Sequence, residues 1–420
     1  MRDADSAERR LLDAVTDLAS GHGYGALTVQ SICAAAGVSR ATLYRHFTSS
    51  DDCCWSAYRH HTDRLLAEVA RAIATRSDPT IAMLEVLVEF AIQQPSAARL
   101  LMSEGLTAGS PGFKCRDDLV ARICKATTAV AVSSIDLPPA LVAGAISRYL
   151  AICLAERTIT ERDLDDALAW LNAFRCHSRL SRPNANRFWT LPTPRLHGPR
   201  FHPPHLPHSP PRRRILDAAT VVIANKGFPA TTVNDIARTA RVSRRAFYNE
   251  FPNRTAAATA AYEHGFERAL AACAPAYFSA EEWPQRVWHS ARALTRFFSR
   301  APAVAYLGFV ECFALGRQFE RRVHETHVAF TLFLEEGYRE QGITSQRRSL
   351  HVLTATAIAE IGFLASRATA CTELQRMQPF GVGLALTPVL GREVASGLVA
   401  ANTAPTVRLH ELDREPLQRG

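Results

Sequence analysis

Residues 9–47 align without a gap on residues 213–251, at an offset of 204 positions. Arg9 matches Arg213; Leu12, Asp13 and Ala14 match Leu216, Asp217 and Ala218; Gly23 matches Gly227. Thr28 and Val29 match Thr232 and Val233, Ile32 matches Ile236, and Ala36 matches Ala240. Val38, Ser39 and Arg40 match Val242, Ser243 and Arg244; Tyr44 matches Tyr248 and Phe47 matches Phe251. The pair Ala57 and Tyr58 returns as Ala261 and Tyr262. Repetition of this density fixes the organisation before any other reading. The chain holds one small module twice, each copy followed by a longer body.

Between the halves lies 181–211, SRPNANRFWTLPTPRLHGPRFHPPHLPHSPP, rich in proline and histidine and free of Asp and Glu. Proline fixes φ and lacks a donor, so this stretch predicts an extended, partly stiff linker. The modules are then 1–55 and 212–259, the bodies 56–180 and 260–402, and the tail 403–420. Both bodies read as helix. Ile81–Ile92 is an apolar run, Pro95 and Pro138 suit first turns, and Thr160 with Asp163 forms a capping box before Glu161–Cys176. Ala303–Leu315, Gln318–Gln341 and Gln346–Cys371 repeat apolar residues three and four apart, with Gly316 and Gly342 at helix ends. No sustained period-two alternation argues for a sheet, so the expected fold class is all-α.

Within the first module, Arg9–Ser20 carries Leu11, Leu12, Val15, Leu18 and Ala19 on one stripe. Thr28 caps a short helix over Val29–Ala36. Gly37 suits a turn with positive φ. Ser39 then caps Arg40–Phe47, where Leu43 and Phe47 face inward. Arg40, Thr42, Tyr44, Arg45 and His46 are left pointing outward. The second module repeats this with Thr232, Ser243 and inward Phe247 and Phe251, leaving Arg244, Arg245, Tyr248, Asn249 and Glu250 outside. Two short helices about a tight turn form a helix-turn-helix, whose second helix fits the major groove of double-stranded DNA. Arginine suits guanine edges or phosphates, and the hydroxyls suit phosphates.

The strings LTVQSICAAAGVSRATLYRHF and TTVNDIARTARVSRRAFYNEF resemble the TetR family of transcriptional regulators. The resemblance covers about 50 residues of each half. It implies a three-helix DNA-binding head and a helical ligand-sensing body in each half, repression released by a small molecule, and pairing of bodies through their last two helices. By motif position it carries DNA contact to Ser39, Thr42, Tyr44 and His46, and to Ser243 and Tyr248. It places Thr28 and Thr232 as caps near a phosphate. A phosphate-holding lysine of the family is matched by Arg254. The first copy has Ser50 there, followed by Asp51 and Asp52, which would repel DNA if they faced it. Arg241 replaces the turn glycine, and Glu250 replaces the histidine.

Charge separates the copies. The formal net charge is +9. Residues 1–50 hold five arginines and five acids, whereas 209–254 hold nine basic and three acidic residues. The linker adds Arg182, Arg187, Arg195 and Arg200. Non-specific affinity follows the phosphates neutralised, so the second head is expected to be the stronger anchor.

Other readings are weaker. His197, His202, His205 and His208, His60 and His61, and Cys53 and Cys54 lack the fixed geometry a metal needs, so neither metal nor cofactor is expected. Cys124, Cys153 and Cys312 read as core. The N-terminal MRDADSAERR is no secretory leader, and no run of 18 apolar residues appears, so a cytoplasmic protein outside the membrane is expected. No Walker loop, dinucleotide fingerprint or GxSxG elbow points to an enzyme. Trp288, Phe298, Phe309 and Phe313 are candidates to line a pocket for an unidentified small-molecule effector, although aromatics at this spacing are more often plain core. His324 and His327, with Glu320 and Glu325, read as a solvated face. Two assemblies are open. One is an intramolecular pseudo-dimer, with Pro138–Arg157 and Glu161–Cys176 packed on about Gln346–Cys371 and Thr387–Ala401. The other is a homodimer with four heads. A DNA-binding architectural protein that ignores small molecules is the alternative function.

Overall fold

The structure is a computed structural model that describes residues 2–130, 133–176, 201–202, 209–343, 348–368 and 373–403. Most of the linker and residues 404–420 of the tail lie outside the described residues. Among the described residues no strand forms; an isolated bridge joins Ile135 and Arg175. The first half runs α1 (Arg2–His22), α2 (Val29–Ala36), α3 (Arg40–His46), α4 (Ser50–Thr75), α5 (Pro79–Gln93), α6 (Pro95–Arg99), α7 (Gly105–Thr107), α8 (Ser110–Val130), α9 (Pro139–Glu156) and α10 (Glu161–Asn172). The second runs α11 (Pro211–Lys226), α12 (Val233–Ala240), α13 (Arg244–Glu250), α14 (Arg254–Tyr277), α15 (Trp283–Arg300), α16 (Pro302–Phe309), α17 (Arg317–Ala329), α18 (Glu335–Glu340), α19 (Arg348–Arg367), α20 (Glu373–Arg376), α21 (Gln378–Leu390) and α22 (Arg392–Thr403).

Start and stop signals explain most of these bounds. Asp78 accepts N–H bonds from Thr80 and Ile81 at the head of α5, and the Thr160–Asp163 capping box opens α10. Three apolar runs break where a single helix was expected. Ala303–Leu315 becomes α16 plus a 3-10 turn over Glu311–Leu315. Gln318–Gln341 becomes α17, a 3-10 turn over Phe330–Leu334, and α18; Thr331 Oγ1 donates to Val328 O at 2.6 Å inside that tightened turn. The expected helix Thr387–Ala401 is split between α21 and α22 at Gly391, which takes φ 79°.

The halves meet along α9 and α19, the most extensive helix pairing between them, with α10 also against α19. These two helices are long and apolar enough by composition to cross a membrane, but they are largely buried against protein. Glu360 of α19 is fully buried between two first-half arginines. Arg116 Nη2 reaches its Oε1 and Arg148 Nε its Oε2 at 2.8 Å. Gly144 makes room: a Cβ there would sit 2.5 Å from the Glu360 carboxyl carbon. Burial raises the Glu360 pKa, yet the two guanidinium charges outweigh it and hold the carboxyl below its ordinary value. Arg367 forks onto Asp117 at 2.9 and 2.6 Å, and Arg99 meets Glu320 at 3.2 Å. At the far end Arg392 pairs with Asp136 at 2.5 Å. Of the face expected to be solvated, Glu325 is exposed and pairs with Arg321 at 2.8 Å, but Glu320, His324 and His327 are all buried. The surface of α17 packs toward the first half, where Arg99 and Ser103 supply partners for Glu320.

Candidate nucleic-acid interface

Each head is built by the same local chemistry. Thr28 Oγ1 accepts the Ser31 N–H at 3.0 Å while Ser31 Oγ accepts the Thr28 N–H at 2.9 Å. Thr232 and Asp235 exchange the same two bonds at 3.2 and 3.0 Å. Ser39 Oγ accepts from Thr42 N at 3.0 Å, and Ser243 Oγ from Ala246 N at 3.1 Å. Between the helices Gly37 takes φ 62° and Arg241 φ 53°. Arg241 is the one non-glycine with positive φ among the described residues, so the second turn keeps its shape without the residue that adopts it freely.

The recognition helices α3 and α13 each bury one side, through Leu43 and Phe47 or Phe247 and Phe251. Their other sides expose Arg40, Tyr44 and Arg45, and Arg244, Arg245, Tyr248 and Asn249. Tyr44 is 57% and Tyr248 47% exposed, so both rings stand on the outward faces of the recognition helices. Thr28, Thr232, Ser39 and Ser243 lie exposed at the helix starts. Thr42 is half-buried and shares a 2.9 Å hydroxyl contact with Ser39.

Two expected contact residues differ from the sequence reading. His46 does not point outward: its side chain is 12% exposed and lies 3.8 Å from Glu8. In the second head the matching positions are Glu250 and Arg212, also 3.8 Å apart. The pair is the same, with its acid and base exchanged. The histidine-to-glutamate change is thus answered within the head, where α1 or α11 meets the recognition helix. Arg254, the other, is half-exposed but tied to the head through one end of its guanidinium. Its Nη1 donates to the carbonyls of Phe228, Pro229 and Thr231, and its guanidinium covers the Phe228 ring at 4.7 Å. Through Nη1 it pins the turn between α11 and α12. The acids of the first copy are also engaged. Asp51 accepts from Tyr24 OH at 2.9 Å, and Asp52 accepts the N–H and hydroxyl of Thr48.

The joint between head and body was not read from the sequence. Glu104 Oε2 accepts the Tyr24 N–H at 3.2 Å, and Glu311 Oε2 accepts the Phe228 N–H at 3.1 Å. Tyr24 and Phe228 are matching residues of the repeat, each following the glycine that ends the first helix. The signal was present: Glu104 to Gly109 and Glu311 to Gly316 share the same spacing, at an offset of 207 in place of 204. The joints differ in charge. Glu104 sits 3.5 Å from Arg99 and 3.7 Å from Arg317. Among the described residues no cation lies within ion-pair distance of Glu311, and burial pushes its pKa up to about 7. The joints are also crossed. Arg317 of the second body donates to Ser20 O at the end of α1 at 2.8 Å. Leu106 and Phe113 of the first body share the core of the second head.

Similarity to known proteins follows the same division. The sequence profile of the bacterial regulatory proteins of the TetR family matches residues 11–53 and again 215–261. The chain carries two TetR-family domains. The HTH-type transcriptional activator FasR of Mycolicibacterium smegmatis is 32% identical over 74 residues, 18% of this chain and 34% of that protein. The match thus spans about a third of the relative's length. Among solved structures, a TetR-family regulatory protein from Rhodococcus RHA1 is 25% identical, covering 43% of this chain and 97% of its own, with a TM-score of 0.35. The fatty acid degradation regulator FadR from Bacillus halodurans is 19% identical, covering 48% and 89%, with a TM-score of 0.30.

In the second body a cavity of about 130 Å³ opens between α14, α15, α17, α19 and α21. Phe298 and Phe309, two of the expected lining residues, form part of its wall. Trp288 and Phe313 do not. Trp288 is buried with its carbonyl near Gln378, and Phe313 lies under the Arg148 guanidinium at 4.9 Å. Among the described residues no three His, Cys, Asp or Glu side chains gather as a metal site.

Proposed function

We propose that the chain is a DNA-binding transcriptional regulator whose two unlike heads read one operator as an intramolecular pseudo-dimer. A small molecule bound in a helical body relieves its grip. The observation that carries this reading is the pairing of α9 with α19 through buried, oppositely charged partners. One chain then holds two exposed recognition helices, the number needed for one site. Heads that bind one face of DNA stand about 34–36 Å apart, one helical turn. The recognition helices differ at Ala41 and Arg245, and at Arg45 and Asn249, so the half-sites differ too. The second head, with its nine basic residues, is the stronger anchor. An effector must bind the released state better than the DNA-bound one to shift the population. The sense proposed is repression. The relative FasR is named as an activator, so a promoter–reporter assay is read for either sign.

Mass in solution tests the assembly. A free chain of 46.2 kDa, and one chain per bound DNA duplex, support the pseudo-dimer. Two chains per duplex overturn it. Arg40→Ala and Arg244→Ala should weaken different half-sites of the same operator.

A further inference from the structure

The cavity of the second body has walls that restrict what can enter it. Phe298, Phe309, Phe330, Ile358 and Val382 give it an apolar lining, with no Asp, Glu, Lys or Arg among the wall residues. The wall hydroxyls are turned to their own helices. Ser290 Oγ donates to Val287 O at 3.0 Å, Thr295 Oγ1 to Ala291 O at 2.9 Å, and Thr331 Oγ1 to Val328 O at 2.6 Å. The one imidazole in the wall, His327, contacts Gly308 O at 3.2 Å through Nε2 and lies stacked on Phe309. Burial and the nearby Arg148 push its pKa down to about 4, so it is neutral at physiological pH. A carboxylate or ammonium entering here would lose its hydration with no charged partner in return. A dry cavity of about 150 Å³ lined by aliphatic and aromatic side chains is known to take benzene, and the volume here is about 130 Å³.

Phe309 links this cavity to the second head. Its ring rests against α19 at Gly362, where a Cβ would stand 2.6 Å from the ring. Two residues further along, Glu311 accepts the Phe228 N–H of the second head. Only Val310 separates the cavity wall from that joint, and no salt bridge holds Glu311 in place among the described residues.

We propose that this cavity seats a small, uncharged, apolar molecule of about the size of benzene, and that its occupancy acts on the second head through Phe309 and Glu311. The proposal rests on the effector reading above and gives that effector a chemical class. It excludes a carboxylate seated among the wall residues.

Fluorobenzene is the probe, with 19F NMR and calorimetry on the full chain, and benzoate as the charged comparator. Saturable one-to-one binding is expected, at least about tenfold tighter than benzoate. Ala359→Phe and Thr295→Leu, which fill the cavity from α19 and α15, should each weaken it by about tenfold or more; cooperative unfolding checks that each variant is folded. Hydrogen exchange at Phe228 and its neighbours should change on binding in the natural chain, and not in Phe309→Ala. Absence of saturable binding, equal binding of benzoate, or binding indifferent to both filling variants overturns the proposal. Unchanged exchange at Phe228 overturns the coupling. None of these readouts needs DNA. A chain that binds fluorobenzene without binding any operator contradicts the regulator reading alone, and one that binds an operator but no fluorobenzene contradicts this inference alone.

Discussion

Arg148 of the first half donates to Glu360 of the second at 2.8 Å, with both side chains buried. Arg116 shares the same carboxylate. Pairing of like halves between two chains would bring arginine toward arginine, or Glu360 toward Glu360, without compensation. The cluster therefore favours unlike pairing. Glu360→Ala leaves the buried Arg148 without its carboxylate, and Arg116 with Asp117 alone at 3.7 Å, and should cost about 3–5 kcal/mol of stability. Denaturant unfolding measures this. A change below about 1 kcal/mol would mean that solvent reaches the arginines and the cluster does not direct pairing.

Glu311 gives the stability a pH dependence. Its folded pKa, about 7, lies above the ordinary 4.5, so the folded state holds the proton more tightly. The stabilisation is full below the unfolded pKa and is lost as pH rises through about 7. Glu311→Gln keeps an acceptor for Phe228 N–H and cannot ionise. It should match the natural chain near pH 4.5 and exceed it at pH 8 by roughly 2–3 kcal/mol. Thermal unfolding across this range checks the sign. A variant that loses stability equally at both pH values contradicts it.

Arg241 sits at φ 53° where the first head has Gly37 at φ 62°. Arg241→Gly should stabilise the second head by about 1 kcal/mol, because an L side chain is disfavoured in the left-handed region. The midpoint of denaturant unfolding should rise, while DNA affinity falls through loss of one exposed charge.

Salt dependence separates the heads. Each phosphate contact removed should lower the slope of log K against log salt by about 0.9. Arg244→Ala with Arg245→Ala should flatten the slope by more than Arg40→Ala with Arg45→Ala. Equal changes would place the two heads on a par.

Much of this was legible in the sequence, for physical reasons. The repeat exposed the heads because their caps and buried faces, such as Ser39 with Leu43 and Ser243 with Phe247, depend on neighbours a few residues away. The α9–α19 pairing followed only from the family resemblance, which implies pairing of bodies through their last helices, and a homodimer stood beside it as the other reading. What was missed depends on contacts distant in sequence. His46 reads as outward on its own helix, and only Glu8, across the head, shows why it is not. The bonds from Arg254 to the carbonyls of the α11–α12 turn appear only once that turn is folded beside it. Glu320, His324 and His327 read as a solvated face because their partners belong to the other half. Of the four aromatics chosen for the pocket, Phe298 and Phe309 reach it. Helical spacing alone cannot tell a cavity wall from packed core.

Selection of bound sequences from a random pool of DNA duplexes tests the central claim most directly. Two unlike heads on one chain predict a single asymmetric site, with half-site centres about 10 base pairs apart. In that site Arg40→Ala and Arg244→Ala erase preference in opposite halves. A palindromic site, affected alike in both halves by either substitution, would contradict the account.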